Sequence, residues 1–323
     1  MRIEIVTPAP MGSHHGNRVT AQRWARMLTE LGHEAAITTT WSGEPVDALV
    51  ALHAMRSAGS ACAFAAAHPD RPLVVALTGT DLYRDLPDSA QAQQAVAAAS
   101  ALVVLQPLAR DAVPAHLGER VHVIHQSVTA PDALDTTTAG DAFEVVVLAH
   151  LRAVKDPFLA AAATRRLPAN SRVRVTHCGA PIDPGTEERA RAETATNPRY
   201  RWLGDVPREE ALRHLAASRL LLLTSRLEGG ANAVSEALAA GVPVLSTRVD
   251  GSVGLLGADY PGYVEVGDVA GLARLLRRAE TDPAFLADLT TRVAARRELV
   301  DPERERRAWA ELLARVTAGA PDP

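Results

Sequence analysis

Cysteine is almost missing from this chain: its 323 residues include only Cys62 and Cys178, far apart and in no C-x-x-C pair. That excludes a disulfide framework and offers no zinc spacing. Lysine is rarer still, since of 34 basic residues only Lys155 is not arginine. A lone lysine marks a place where a compact ammonium serves better than a planar fork. Aromatic residues make up 4% and charged residues 22%, whereas apolar residues reach 47%. A chain of this length and content buries a large core and is long for one domain. No apolar run approaches a membrane span, and the opening MRIEIVTPAP reads as a strand, not a secretory leader. A soluble, cytoplasmic protein with no membrane role is therefore expected. Net charge −4 and a pI near 6.3 argue against general affinity for nucleic acid. No D-x-D triplet occurs, so no metal is expected to bridge a diphosphate.

What is present is an alternation of strand and helix. Apolar runs predict strands over 2–6, 35–39, 48–52, 73–77, 102–105 and 121–125. Between the first two, residues 17–31 form an amphipathic pattern with Val19, Trp24, Met27, Leu28 and Leu31 inward, closed by Gly32. A polar stretch over 129–141, TAPDALDTTTAGD, reads as a linker. A second series follows over 143–149, 172–177, 200–203, 220–224, 244–246 and 262–266. Strands alternating with helices imply parallel sheets with right-handed crossovers. The expected fold is thus α/β, with two Rossmann-like domains over 1–130 and 140–300 facing an interdomain cleft. A last helix over 302–316 carries Trp309, Leu312, Leu313 and Val316 as a stripe that needs a partner.

The densest chemistry lies in residues 225–245, SRLEGGANAVSEALAAGVPVL. Glu228 follows the apolar strand RLLLLT and precedes Gly229, Gly230, Ala231 and Asn232. Residues 233–240 are rich in helix formers and stop at Gly241-Val242-Pro243, ahead of a new strand. In a strand, glycine loop, helix unit the backbone approaches a ligand closely, and the helix start attracts an anion such as a diphosphate. Glu236, about one turn past the loop, can accept hydrogen bonds from two ribose hydroxyls. Glu228, at a strand's carboxyl end, faces the crevice where open α/β sheets bind ligands.

The pattern resembles the E-x7-E signature of retaining GT-B glycosyltransferases that use nucleotide-sugar donors. That resemblance assigns the second domain to the donor and implies that an Arg and a Lys after its first strand contact the diphosphate. In AHLRAVKDP, Arg152 and Lys155 occupy that place. The terminal helix is then expected to cross back onto the first domain, which should hold the acceptor.

The first domain's loops carry the remaining candidates. Gly12, Ser13, His14, His15, Gly16, Asn17 and Arg18 lie in a glycine loop opening a helix, again an anion site. His53 ends the third strand, and Thr80 and Asp81 follow the next, so these strand ends should also face the cleft. VTPAPMGSHHGNRVTAQRWA, VALHAMRS, LTGTDLYRDL, VVLQP, HQSV and AHLRAVKDP together resemble the selenosugar synthases of selenoneine biosynthesis. The resemblance runs from Arg2 to about Val249. It implies transfer of a sugar from UDP-N-acetylglucosamine or UDP-glucose to selenophosphate, giving a 1-selenosugar after loss of phosphate. Selenophosphate and the UDP-sugar would be substrates, with no cofactor or metal, and partners are expected among that pathway's enzymes.

In that scheme Glu228 would hold sugar hydroxyls, Glu236 the ribose, and His53 or Asp81 the reacting sugar face or phosphate. A soft anionic nucleophile needs a positive pocket more than a general base. Other readings stay open at this point. They are a GT-B enzyme acting on a hydroxyl, thiol or lipid-linked acceptor, a nucleotide-sugar epimerase, and a non-catalytic nucleotide-sugar binder.

Overall fold

Runs of Val, Leu, Ile and Ala become two all-parallel, six-stranded sheets, one in each of two units. The computed structural model describes residues 1–13, 15–129 and 141–318; the stretch expected as a linker lies, but for its ends, outside the described residues. The first unit comprises Met1–Ser127, Glu228–Gly230 and Pro302–Pro323, and the second Val128–Leu227 and Ala231–Asp301.

The first sheet contains β1 (Arg2–Val6), β2 (Glu34–Thr38), β3 (Ala48–Leu52), β4 (Leu73–Leu77), β5 (Ala101–Val104) and β6 (Val121–Val123), in the order β2-β1-β3-β4-β5-β6. Every residue of β3 and β4 is buried, as central strands covered on both faces require. On one face Ile3, Ile5 and Val50 pack with Trp24 and Leu28 of α1 (Gly16–Glu30). On the other, Leu49 and Ala51 pack with Phe64 of α2 (Ala58–Ala67) and Val96 of α3 (Ala90–Ala98). The strand order reverses between β1 and β3, so the loops leaving these two strands flank the first sheet's switch point.

The second sheet runs β12-β11-β10-β7-β8-β9. Its strands are β7 (Phe143–Leu148), β8 (Val173–Cys178), β9 (Tyr200–Gly204), β10 (Leu220–Leu223), β11 (Val244–Thr247) and β12 (Tyr263–Val264). Helices α4 (Leu159–Thr164), α5 (Thr186–Thr196), α6 (Arg208–Ala216), α7 (Asn232–Ala240), α8 (Asp250–Leu256), α9 (Val269–Thr281) and α10 (Pro283–Ala295) cover it. Here the reversal falls between β7 and β10. The loops after these strands hold the donor candidates. Gly241, at φ 71°, closes α7 in the left-handed conformation that glycine tolerates best.

The last helix, α11 (Pro302–Ala318), belongs to the first unit. Its Trp309 meets Trp24 edge to face, ring centroids 4.7 Å apart, and Leu312 and Leu313 join the same core. Glu305 is buried beside them. Its carboxylate accepts from Trp24 Nε1 at 2.7 Å, Arg23 Nε at 2.9 Å and the Ser127 amide at 2.7 Å. Among the described residues no helix is long and apolar enough to cross a membrane.

The strands, and the three helices given bounds from the sequence, begin and end within two residues of expectation. Among the elements not located in advance is a π-helical turn over Asp81–Asp85. Single π turns cluster at functional sites.

Candidate functional site

In the second unit, three contacts tie the loops leaving β7 and β10 together. Thr224 Oγ1 donates to the Lys155 carbonyl at 2.9 Å, the Arg226 amide to the Val154 carbonyl at 2.8 Å, and Arg226 pairs with Asp156 at 2.6 Å. Asp156 takes a left-handed backbone, φ 42°, which turns the chain sharply after Lys155. Arg152 and Lys155 are therefore held on a braced loop at the switch point, each partly exposed. Ala231 is the N-cap of α7, and Asn232 its first residue, so amides at this helix start point outward from the loop. Glu236 lies in the next turn and is buried, with Arg208 Nη1 donating to its Oε1.

Glu228, Gly229 and Gly230 belong to the first unit, and their glycines explain the close packing there. A Cβ on Gly229 would lie 2.4 Å from the Thr78 carbonyl oxygen, and one on Gly230 2.5 Å from Leu105 Cβ. No larger residue fits either position without moving backbone or core. Glu228 itself is buried.

The turn after β4 is organised by Asp81, which is fully buried. Its carboxylate accepts from the amides of Gly79 at 2.7 Å, Ala54 at 2.9 Å and Thr78 at 3.0 and 3.1 Å. The carboxylate thus ties the loop after β3 to the loop after β4, and its oxygens are spent on backbone. His53 stands beside it at φ 73°, an unusual conformation for a residue other than glycine. Its Nδ1 accepts the Arg56 amide at 3.3 Å, so in the neutral ring the proton sits on Nε2, which faces Thr80 Oγ1 at 3.1 Å. Asp85 Oδ2 lies 4.0 Å from the same nitrogen. Burial holds the imidazole below its ordinary pKa, against the opposing pull of Asp81. The structure therefore brings His53, Thr80 and Asp81 together, with Thr80 outermost.

The loop leaving β1 turns at Gly12, φ 78°, and Ser13 Oγ donates to the Pro10 carbonyl at 2.9 Å. His14 lies outside the described residues. His15 is the N-cap of α1, its carbonyl accepting the amides of Arg18 at 2.8 Å and Val19 at 3.1 Å. Gly16 and Asn17 form the first turn. Arg18 is buried, with 7% of its surface exposed. Among the described residues its Nε has no hydrogen-bond partner, and no carboxylate pairs with the guanidinium. A buried cation without a counter-charge is costly, and at a helix N-terminus it adds to a field already favourable to anions.

Two residues escaped the sequence reading. Arg208 carries no motif signal, because an arginine opening a helix is ordinary. Asp85 is visible only once the π turn sets it near His53. Among the described residues no group of three or more His, Cys, Asp or Glu is arranged to hold a metal ion.

Residues 135–296, half of the chain, match the family described as glycosyl transferases group 1. Among solved structures, Anabaena HepE in complex with UDP-glucose is similar with a TM-score of 0.75 at 17% identity, over 98% of this chain and 100% of that one. Sucrose-phosphate synthase from Thermosynechococcus elongatus gives 0.76 at 15% identity, over 98% and 99%. The trehalose 6-phosphate synthase of Burkholderia multivorans gives 0.70 at 18% identity, over 94% and 76%. At these identities the likeness is one of fold, and that fold is GT-B. No curated protein matches the sequence.

Proposed function

Since the chain belongs to the glycosyl transferases group 1 family, we propose that it transfers a sugar from UDP-N-acetylglucosamine or UDP-glucose to selenophosphate, forming a C–Se bond and a 1-selenosugar. The donor half of this reading draws on the family and on a structural neighbour solved with UDP-glucose. Arg152, Lys155 and the backbone of Gly229, Gly230, Ala231 and Asn232 would stabilise the negative charge that develops on the departing diphosphate. Glu236 would accept the ribose hydroxyls and Glu228 those of the sugar, whose transition state carries oxocarbenium character.

The observation that carries an anionic acceptor is Arg18, a buried guanidinium at the start of α1 with no carboxylate partner among the described residues. A phosphate-bearing nucleophile supplies the missing charge, and the loop from Gly12 to Asn17, with His14 and His15, supplies further donors. The choice of selenophosphate among anions rests on the resemblance of the first domain's loop strings. Such a nucleophile arrives already ionised, so a strong base is not needed. In this reading His53, kept neutral by burial, donates from Nε2 through Thr80 toward the reacting face. Asp81 acts by holding that turn in place rather than by touching substrate. The reaction makes the C1–Se bond as the C1–O bond to UDP breaks, and phosphate is lost afterwards. Partners of the same pathway and a cytoplasmic setting belong to this proposal.

The test is a mass-spectrometric assay of purified protein with UDP-N-acetylglucosamine or UDP-glucose, with and without fresh selenophosphate. Selenophosphate-dependent UDP release, with a product bearing selenium's isotope pattern, is the expected result. UDP release that ignores selenophosphate overturns the acceptor and points to a hydroxyl acceptor, water or epimerisation. UDP binding without any release points to a binder without turnover.

A further inference from the structure

Arg208 opens α6 directly after Pro207, and its guanidinium reaches Glu236 on the neighbouring helix α7. The two side chains differ in setting: that of Glu236 is 9% exposed and that of Arg208 is 39% exposed. Glu236 lies on a helix that is buried from Ala233 to Ala239. A buried carboxylate needs a cation or donors at its oxygens to replace the water it has lost. Only the ionised form is acceptor-only, and only that form meets a diol with lone pairs on both oxygens. The guanidinium also fixes the carboxylate plane, because its N–H groups lie in a rigid fork.

We propose that Arg208 is a positioning residue for the donor's ribose. It holds the Glu236 carboxylate in the rotamer that takes the 2′- and 3′-hydroxyls, and thereby sets the preference for ribonucleotides over deoxyribonucleotides. The inference rests on the donor reading above and deepens it by naming a residue that acts through Glu236.

The experiment is calorimetric titration of UDP and 2′,3′-dideoxy-UDP into the wild type, Arg208→Ala and Arg208→Lys, with thermal unfolding of each. The wild type should prefer UDP. Arg208→Ala should lose about tenfold in UDP affinity, the size of a hydrogen bond to a charged group. It should lose less than about twofold for the dideoxy nucleotide, so the ratio between the two ligands collapses. Arg208→Lys should keep part of that ratio. Should Arg208→Ala fail to fold, Arg208→Lys and Arg208→Gln carry the same ratio test. Equal losses for both nucleotides would overturn the proposal, placing Arg208 on the base or diphosphate. No loss for either would reduce it to a surface ion pair. A wild type that binds both ligands equally removes the ribose from Glu236, and one that binds neither removes the donor reading itself.

Discussion

Asp81 in the first unit and Glu236 in the second are both buried carboxylates, yet they are held in opposite ways. Asp81 is clamped by three backbone amides from two loops, partners that leave only if the chain unfolds. Glu236 meets a guanidinium from a neighbouring helix, on a side chain that is itself 39% exposed. The same functional group is thus a rivet in one place and, in the proposed reading, a receptor in the other. What separates the two is the kind of partner, main chain in one case and a partly exposed side chain in the other, not the degree of burial. Arg18 is a third case, buried with no carboxylate beside it among the described residues.

The comparison breaks most sharply at Asp81. Asp81→Asn turns one oxygen into an N–H donor facing backbone amides, and should lower unfolding free energy by about 4 kcal/mol. Urea unfolding followed by circular dichroism measures it; a loss of activity with unchanged stability would instead make Asp81 a substrate contact.

His177 is a second rivet. Its ring nitrogens bond Tyr200 Oη and the Ala149 carbonyl, each at 2.8 Å, and burial lowers its pKa from 6.5 to about 4. Between those values the unfolded chain binds the extra proton, so stability falls as pH drops from above 6.5 toward 4, by about 3 kcal/mol. His53, His33 and His122, also lowered mainly by burial, add in the same direction. Urea midpoints from pH 7.5 to 4.5 should show the slope, and His177→Gln should flatten it.

Arg18 sharpens the contrast from the other side. Arg18→Met removes an uncompensated charge while keeping the stem's volume, so stability should hold or rise by about 1 kcal/mol. Acceptor KM should rise about tenfold with donor KM unchanged. A matching loss in donor affinity would move the loop to the other substrate. The smallest effect is expected for Lys155→Ala, about fivefold in UDP affinity by calorimetry, since a partly exposed ammonium is screened by solvent. Unchanged affinity would take Lys155 out of the site.

Much of this was legible from residue order. Runs such as LVVAL and LLLL are too short and apolar for anything but buried strands. The spacing of Glu228, the glycines and Glu236 predicts a loop and helix that the structure contains. The π turn at Asp81 was not legible, because the carboxylate at its start is held partly by the Ala54 amide, from the distant loop after β3. The pairing of Arg208 with Glu236 was hidden for the same reason: 28 residues separate them, and only the packing of α6 beside α7 joins them. The burial of Arg18 could not be read either, since an arginine in the first turn of an amphipathic helix normally points to water.

The Glu305 knot bears on how the molecule is made. Trp24 and Arg23 wait for a carboxylate 281 and 282 residues further along, and for Trp309 beyond it. On the ribosome, α1 and all six strands of the first sheet emerge early, but the part of their core that Trp309, Leu312 and Leu313 fill stays open until α11 has been translated. The unit that begins first is therefore completed last. A stalled or truncated chain would present Trp24, Leu28 and Ile3 to solvent, the kind of surface that chaperones and proteases recognise.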